Sequence, residues 1–238
     1  MQSVFLTAEW RKLILVNYVI DKSILNNYLP PHTQLDLWNG NCYVSIVGFL
    51  FKNTKIKGIK FPFHVNFEEV NLRFYVTYNN NNILKRGAVF ISEIVPKPAI
   101  SIIANALYNE KYQTLFTKHN WQETESEFNI MYGFKKNKWH TINVVSEKQK
   151  HLIEANSEAE FITEHYWGYT KKSELKTIEY GVEHPRWDMY PIKHYSVDID
   201  FETVYGKQFS FLTHQQPTSV ILAEGSEVLI RSGKILLH

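Results

Sequence analysis

The sequence predicts a mainly β protein with a few short helices, organised as a single domain over residues 1–238. Short runs of β-branched and aromatic residues recur between turn residues along the chain, and aromatic residues make up 15% of the composition. Both features favour strands. No Pro-, Ser- or Gly-rich linker divides the chain, and single β domains often reach about 200–250 residues.

The N-terminal half predicts strands interrupted by two helices. Its elements, in order, are a strand at 11–20, a helix at 22–29 capped by Asp21 and stopped by Pro30, a hairpin over 34–51 turning at Asn39-Gly40, a loop over 52–65 that can cover a cavity, a strand at 67–76, a turn at 79–82, a return strand at 86–95 and a helix starting at Pro98. Aspartate is a favoured helix N-cap, and Asn-Gly favours the tight turns of hairpins.

The C-terminal half predicts a similar alternation. Its elements, in order, are strands at 125–134 and 139–146, a helix that starts after Ser157 and carries Glu164 and Tyr166, a strand at 174–184, a short helix near 198–206 and a final hairpin turning at Glu224-Gly225. Ser157 followed by Glu160 fits a capping box, and Gly206 fits a helix C-cap.

The composition and the N-terminal sequence indicate the cellular location of the protein. Cys42 is the single cysteine, so an intramolecular disulfide is impossible and a reducing compartment is favoured. The apolar N-terminal stretch is interrupted by Glu9, Arg11 and Lys12. Such charges are typical neither of a signal peptide nor of a membrane span. We therefore expect a cytoplasmic protein without membrane association. A homo-oligomer remains open.

The usual signatures of nucleic-acid, metal and cofactor binding are missing from the sequence. The net charge is +2 and no basic stripe accompanies it, which argues against nucleic-acid binding. The ten histidines do not fall at metal-ligand spacings, and no Gly-rich phosphate loop is present. We therefore expect neither a metal nor a cofactor, and a small molecule as the main partner.

The stretch FEEVNLRFYV, at residues 67–76, carries an unusual polar set. Alternate residues of a strand point to opposite faces. The apolar face consists of Val70, Leu72, Phe74 and Val76. The opposite face consists of Glu69, Asn71, Arg73 and Tyr75. A solvated outer face explains the polar row, since half of an antiparallel strand is often polar. The alternative is that it lines a cavity, where polar groups must be paired or bind a ligand.

Five motifs then indicate a family. The runs EWRKLILVNYVIDKSILNNYLPP, FEEVNLRFYV, PKPAISIIANALYNEKY, ITEHYWGYT and VEHPRWDMYP follow one another along the chain. In this order they resemble the YqjF-like family of uncharacterised conserved proteins, domain of unknown function 2071, which resembles the acetoacetate decarboxylase-like superfamily. The resemblance implies a mostly antiparallel closed sheet, or barrel, with short peripheral helices and an internal pocket, and it favours the inward-facing interpretation of the polar row.

The resemblance also implies catalytic positions. Arg11 and Glu69 fall where the decarboxylases place a pocket arginine and glutamate. Their Schiff-base lysine follows the helix that starts near Pro98. One register puts Lys111 at that position, whereas the register of the YqjF-like pattern puts Tyr112 there, and we favour the second. A Schiff-base lysine must be neutral near pH 7, which takes burial or an adjacent cation. Tyr112 stands where that second cation is expected.

Two later motifs add ligand-binding candidates by the same resemblance. Tyr166 belongs to a T-E-R-Y-like segment in which His165 replaces the arginine. His184 and Trp187 form an H-x-x-W-like segment, and a histidine can titrate near neutral pH. Each of these residues also has a plain structural interpretation as a packing residue.

Three functional hypotheses follow. The leading one is a pocket that binds, and as an enzyme transforms, a small oxo acid or ketone without a Schiff-base lysine. In it Glu69, Tyr112 or Lys111 is catalytic, and the binding residues are Arg11, Asn71, Arg73, Tyr166, His184 and Trp187. A non-catalytic ligand-binding barrel and an imine-forming enzyme using Lys111 are the alternatives. Beside these functional hypotheses stands a purely structural one, a satisfied internal ion-pair network without a ligand.

Overall fold

The computed structural model describes residues 2–236, which form two β-sheets and four short α-helices. The strands, in chain order, are β1 Val4–Ile20, β2 Gln34–Leu35, β3 Cys42–Ile56, β4 Phe67–Asn80, β5 Ile83–Val95, β6 Tyr112–Thr114, β7 Phe116–Glu123, β8 Glu127–Lys136, β9 Lys138–Glu147, β10 His151–Leu152, β11 Trp167–Ser173, β12 Lys176–Glu183, β13 Asp188–Tyr190, β14 Ile192–Asp198, β15 Ser219–Arg231 and β16 Lys234–Leu236.

The helices are peripheral and short, as predicted. They are α1 Lys22–Leu25, α2 Pro98–Tyr108, α3 Glu158–Thr163 and α4 Phe201–Tyr205, with 3₁₀ turns at Asn26–Tyr28 and Lys207–Thr213. Asp21 caps α1 by accepting a hydrogen bond from the backbone N–H of Ser23 at 2.8 Å. None of the helices within residues 2–236 is long and apolar enough to cross a bilayer.

The larger sheet is a curled sheet of twelve strands, and it confirms the predicted mainly β fold. Its central order is β15-β1-β3-β4-β5-β11-β12. The sheet curls so far that β12 also pairs with β15, through Val182 opposite Ile230 and Glu183 opposite Leu229. The pairing is mostly antiparallel, as the resemblance implied, and β5 pairs in parallel with both β11 and β6.

The apolar face of β4 packs outward against the smaller sheet. That sheet has the order β14-β9-β8-β7 and is antiparallel throughout. Leu72 and Phe74 are fully buried in one cluster with Tyr132 of β8 and Ile142 of β9. The polar face of β4 therefore points into the curled sheet, as the motif resemblance implied.

Two predicted hairpins are wrong. Residues 34–35 form β2, which pairs with β4, and across the Asn39-Gly40 turn only Trp38 and Asn41 bridge. Glu224-Gly225 is not a turn, because β15 continues through it opposite β1, with Gly225 beside Arg11. Gly225 has a φ of +82°, and a positive φ inside a strand is typical of a bulge as well as of a turn.

Two predicted boundaries also shift. The expected loop at 52–65 begins later, since β3 continues to Ile56, and the connection to β4 covers 57–66. The helix expected to carry Glu164 and Tyr166 ends at Thr163, where Glu164 is its C-cap. Tyr166 instead lies just before β11, and its carbonyl accepts the backbone N–H of Val182 at 2.8 Å.

We expect Gly225→Ala to lower the free energy of unfolding more than Gly58→Ala. Both glycines have a φ of +82°, and a left-handed alanine costs about 1–2 kcal/mol. A Cβ on Gly58 meets no atom within 4 Å, whereas one on Gly225 collides with the carbonyl oxygen of Trp10. The collision adds about 1–3 kcal/mol. Urea unfolding of the two variants measures the difference, and equal losses would contradict the close approach of Gly225 to the Trp10 carbonyl oxygen.

Candidate functional site

Three polar residues of β4 are buried inside the curled sheet. Glu69, Asn71 and Arg73 are 3%, 1% and 9% exposed. They line a small cavity of about 60 Å³, here called the inner chamber, together with Glu93, Tyr112, His165, Tyr180, His184 and Trp187. Of the predicted site residues, the structure thus brings together Glu69, Asn71, Arg73, Tyr112, His184 and Trp187.

Tyr112 is held in the chamber wall by the chain that follows α2. Asn109 ends the helix with a left-handed φ of 56°, and β6 then runs parallel to β5 with Tyr112 opposite Glu93. The side chain of Asn105 accepts the N–H of Tyr112 at 2.9 Å and donates to its carbonyl at 3.1 Å. The Tyr112 hydroxyl donates to Glu69 Oε2 at 2.9 Å.

Lys111, a candidate catalytic residue, lines neither the inner chamber nor the larger cavity beside it. Its side chain is exposed, and its carbonyl oxygen accepts the N–H of Glu93 at 3.1 Å. Neighbouring residues of an extended chain point to opposite sides. With Tyr112 facing inward, Lys111 faces solvent.

The carboxyl group of Glu69 has a pKa near neutral pH. Burial raises its pKa to about 7, although hydrogen bonds from Asn71 and Tyr112 oppose the shift. Asn71 Nδ2 donates to Glu69 Oε1 at 2.9 Å. Both carboxylate oxygens of Glu69 are therefore held in place, and the group can gain or lose a proton at physiological pH.

Two further buried carboxyl groups adjoin Glu69. Burial raises the pKa of Glu110 to about 7. Burial also raises the pKa of Glu93 well above its usual range, and the charges of Glu110 and Glu69 raise it further. Glu110 Oε1 accepts hydrogen bonds from Thr170 and Tyr180, both at 2.7 Å. Like charges in one dry site disfavour joint ionisation, which favours the protonated form of Glu93.

Arg73 is a buried cation without a counterion. No ion pair within 4.0 Å joins it to an acidic side chain of residues 2–236. Its Nε is buried and has no hydrogen-bond partner. Its guanidinium carbon lies 5.5 Å from the ring centroid of Tyr75. An anion in the inner chamber would satisfy this guanidinium.

His165 adds an oriented imidazole to the same wall. Its Nε2 lies 3.1 Å from Asp36 Oδ2, and its ring stacks on Tyr75 with centroids 4.4 Å apart. Burial lowers the pKa of His165 to about 4, so the ring is neutral at pH 7. Its buried Nδ1 has no hydrogen-bond partner. A neutral ring that donates through Nε2 to Asp36 presents Nδ1 as an acceptor.

The H-x-x-W segment closes one side of the inner chamber. The His184 ring stacks on Trp187 with centroids 4.2 Å apart, and burial lowers the pKa of His184 to about 4. Trp187 Nε1 donates to Ser226 Oγ at 2.9 Å. Tyr166 packs behind His184, at 4.8 Å between centroids, and its hydroxyl donates to Glu164. Tyr166 therefore supports the wall without lining the chamber.

Arg11, like Lys111 and Tyr166, does not line the inner chamber. Its guanidinium pairs with Glu9 at 2.6 Å and approaches Glu224 at 3.8 Å. The pairing of β1 with β3 shifts between Arg11 and Ile14, and Lys12 has a φ of 53°. This bulge breaks the alternation, so that Trp10 and Leu13 line the inner chamber in place of Arg11.

The sequence prediction missed Glu93, Glu110, His165 and Tyr180. Glu93 carried a usable signal, because it is a lone acid in the apolar return strand and pairs opposite Asn71. Glu110 carried none, since an acid just past a helix end normally faces water. Within residues 2–236, no group of three or more His, Cys, Asp or Glu side chains is arranged to hold a metal ion.

We expect Glu69 and Glu110 to contribute stability that is lost as the pH rises from about 4.5 to about 7, whereas the buried neutral His165 and His184 contribute stability that is gained between about pH 4 and 6.5. The pKa values of Glu69 and Glu110 are about 7 in the fold, against 4.5 for an ordinary glutamate. The folded state binds these protons more tightly, so this stabilisation is complete below pH 4.5 and is lost through pH 7. Each carboxyl contributes a slope of up to about 1.4 kcal/mol per pH unit. Urea unfolding across this range measures it.

The matched variants separate these two groups from the remaining carboxyls. Glu69→Gln and Glu110→Gln should each remove the loss of stability that one carboxyl causes between pH 4.5 and 7, while Glu125→Gln, at an exposed position, should leave the profile unchanged. A profile that both buried variants leave as steep as the original would show that these carboxyls are ionised in the fold.

Comparisons with known proteins identify the family to which this chain belongs. Residues 7–227 match domain of unknown function 2071, described as an uncharacterized conserved protein. The uncharacterized protein YqjF of Bacillus subtilis (strain 168) is 32% identical over 84 residues, which are 35% of this chain and 33% of that protein. That match thus spans about a third of the relative's length.

Solved structures share the fold at low sequence identity. Acetoacetate decarboxylase from Legionella pneumophila superposes with a TM-score of 0.68 at 12% identity, covering 98% of this chain and 87% of that one. The enduracididine biosynthesis enzyme MppR complexed with pyruvate gives 0.66 at 8% identity, covering 99% and 91%.

An acetoacetate decarboxylase-like enzyme from Sphingomonas wittichii RW1 gives a TM-score of 0.62 at 12% identity, covering 99% of this chain and 94% of that one. These likenesses establish the acetoacetate decarboxylase-like fold. Because the family match covers nearly the whole chain, the protein belongs to the family of domain of unknown function 2071.

Proposed function

We propose that the protein binds a small oxo acid in the inner chamber and catalyses proton transfer at the carbon beside its ketone, without a Schiff base. The observation that carries the proposal is the buried Arg73 guanidinium, which has no counterion among residues 2–236. Burying an unpaired cation is costly, and a ligand carboxylate would remove that cost through charge-assisted hydrogen bonds.

The acid–base groups stand beside this anchor. Glu69 is close enough to Arg73 for the guanidinium charge to lower the carboxyl pKa against the effect of burial. As a carboxylate, Glu69 takes a proton from the carbon next to the ketone, and the C–H electron pair forms the enolate. The hydroxyl of Tyr112, which donates to Glu69 in the free protein, turns to the enolate oxygen and donates to it once Glu69 carries the proton. Return of the proton restores the ketone.

No lysine among the described residues lines the inner chamber. With the Lys111 side chain exposed, the proposal uses no imine, and catalysis rests on hydrogen bonding and proton transfer. The pyruvate complex of MppR supports the ligand class, because pyruvate is an oxo acid bound within the same fold.

The second candidate function is a non-catalytic binder of the same acids. Its support is that Glu69 is already held by Asn71 and Tyr112 at 2.9 Å each. A carboxyl fixed in this way could serve only to orient a ligand. The two candidates share the Arg73 anchor and differ in whether a proton moves.

We expect Arg73→Met to weaken binding of 2-oxobutanoate by about 10- to 150-fold, since a hydrogen bond to a charged group contributes about 1.5–3 kcal/mol. Arg73→Lys should retain part of the affinity, and Lys172→Met, an exposed cation, should retain all of it. Titration calorimetry or NMR titration measures the affinities. Equal affinity of Arg73→Met and the unchanged protein would remove the anchor from the proposal.

We expect the protein to exchange the C3 protons of 2-oxobutanoate in D₂O faster than buffer alone, and Glu69→Gln to lose about 10²–10⁴-fold of that rate. The ¹H NMR signal of the methylene group follows the exchange directly. Binding that persists with exchange only at the buffer rate would favour the non-catalytic binder over the enzyme.

We expect no covalent adduct at Lys111. Incubation with acetoacetate followed by borohydride should leave the protein mass unchanged, because a keto acid in the inner chamber is not held against the exposed Lys111 amine. Intact mass spectrometry and peptide mapping measure this outcome. A stable mass gain that maps to Lys111 and disappears in Lys111→Ala would make an imine-forming enzyme the better hypothesis.

A further inference from the structure

A larger and mainly apolar cavity lies next to the inner chamber. This outer chamber has a volume of about 230 Å³ and is formed by one side of α2, the 57–66 connection and the ends of several strands. Its apolar wall includes Phe5, Phe51, Phe61, Ile100, Ile103 and Ala104. A chamber of this composition favours a hydrocarbon group over a polar one.

The two chambers share one wall. Phe51, Glu93, Tyr112, Tyr180 and Ile230 line both of them. Side chains alone therefore separate the apolar space from the Arg73 anchor. The polar members of this wall are Glu93, Tyr112 and Tyr180, and Tyr112 donates to the proposed base Glu69, which places the reacting centre of a ligand beside this wall.

The inner chamber is too small to hold more than the head of an oxo acid. A dry cavity of about 150 Å³ holds benzene, and the inner chamber has about 60 Å³. A carboxylate and its neighbouring carbonyl fill that space. Anything attached beyond the ketone has to continue past Tyr112 and Glu93 into the outer chamber.

A buried polar atom supports a ligand at this junction. Glu93 is 3% exposed, and its Oε2 has no hydrogen-bond partner. A buried polar atom without a partner is costly. As a protonated carboxyl at the wall common to both chambers, Glu93 can donate to a ligand oxygen that sits between the anchor and the apolar space.

We propose that the ligand is an amphipathic oxo acid, with its carboxylate on Arg73 and a hydrocarbon chain of about nine carbons in the outer chamber. The chain length follows from scaling the benzene cavity to 230 Å³. The head-group assignment rests on the proposed function, whereas the chain assignment rests on the outer chamber alone.

The mouth of the outer chamber sets the upper limit of the chain. Phe61 and Ile103 line the cavity and are 46% and 37% exposed, so the cavity opens to solvent between the connection and α2. A chain that reaches these residues leaves the apolar wall. Additional methylenes then remain in water and add no affinity.

The experiment compares straight-chain 2-oxo acids of four, six, eight, ten and fourteen carbons by titration calorimetry at one pH below their critical micelle concentrations. Affinity should rise about fourfold per methylene and level off once the chain exceeds about nine carbons. A flat series would overturn the chain assignment and leave the oxo acid head group untouched.

Two variants on α2 provide the matched test. Ala104→Phe places a ring in the outer chamber and should remove most of the gain from chain length while leaving 2-oxobutanoate binding unchanged. Ala106→Phe, on the same helix but exposed, should keep the full series. Ile103→Ala removes apolar wall area without adding bulk and should reduce the gain in affinity per methylene. This variant provides the test if Ala104→Phe does not fold.

Arg73→Met separates the two proposals. It should weaken every acid in the series by the same factor and leave the gain per methylene intact. If long acids bind equally well to Arg73→Met but poorly to Ala104→Phe, the outer chamber binds hydrocarbon and the proposed head-group function is wrong. If Ala104→Phe and Ala106→Phe bind the whole series alike, the chain does not occupy the outer chamber.

Discussion

The hydrogen bond between the Tyr112 hydroxyl and Glu69 is the contact on which the site depends. It joins β4 to the segment after α2, two parts of the chain that are 43 residues apart. The parallel pairing of β5 with β6 and the two hydrogen bonds of Asn105 set its geometry. Without this contact the buried carboxyl of Glu69 would lose one of its two hydrogen-bond donors. Tyr112 would also no longer be fixed in the wall between the two chambers.

Burial and charge act against each other in this interior. The interior holds one buried guanidinium, Arg73, and three buried carboxyls, Glu69, Glu93 and Glu110, so full ionisation would leave it with an excess of negative charge. Burial raises the pKa of all three, so the excess is removed by protonation and not by additional cations. The charge of the chamber is therefore set by pH and by what the ligand brings, and an anionic ligand is most compatible with the protonated state.

The sequence predicted what depends on local periodicity. The alternation along β4 identified both of its faces, and the family pattern supplied the choice of the inward one and the Tyr112 register. Predictions failed where one backbone irregularity changed the outcome. The bulge near Lys12 turned Arg11 outward. Gly225, which the sequence predicted to lie in a turn, lies inside a continuous strand. Glu110 and His165 join the site only through long-range pairing, which no local pattern contains.

The opposite orientations of Lys111 and Tyr112 affect how this fold can change chemistry during evolution. An amine and a phenol occupy adjacent positions, one outside and one inside, and a single codon change could place a lysine at 112. That lysine would stand among three carboxyls, whose negative charge would stabilise the ammonium form and suppress nucleophilic attack. A reactive amine at this position would therefore require much of this negative charge to be removed first. Within one fold, such a requirement can separate proteins that use an amine in the pocket from proteins that do not.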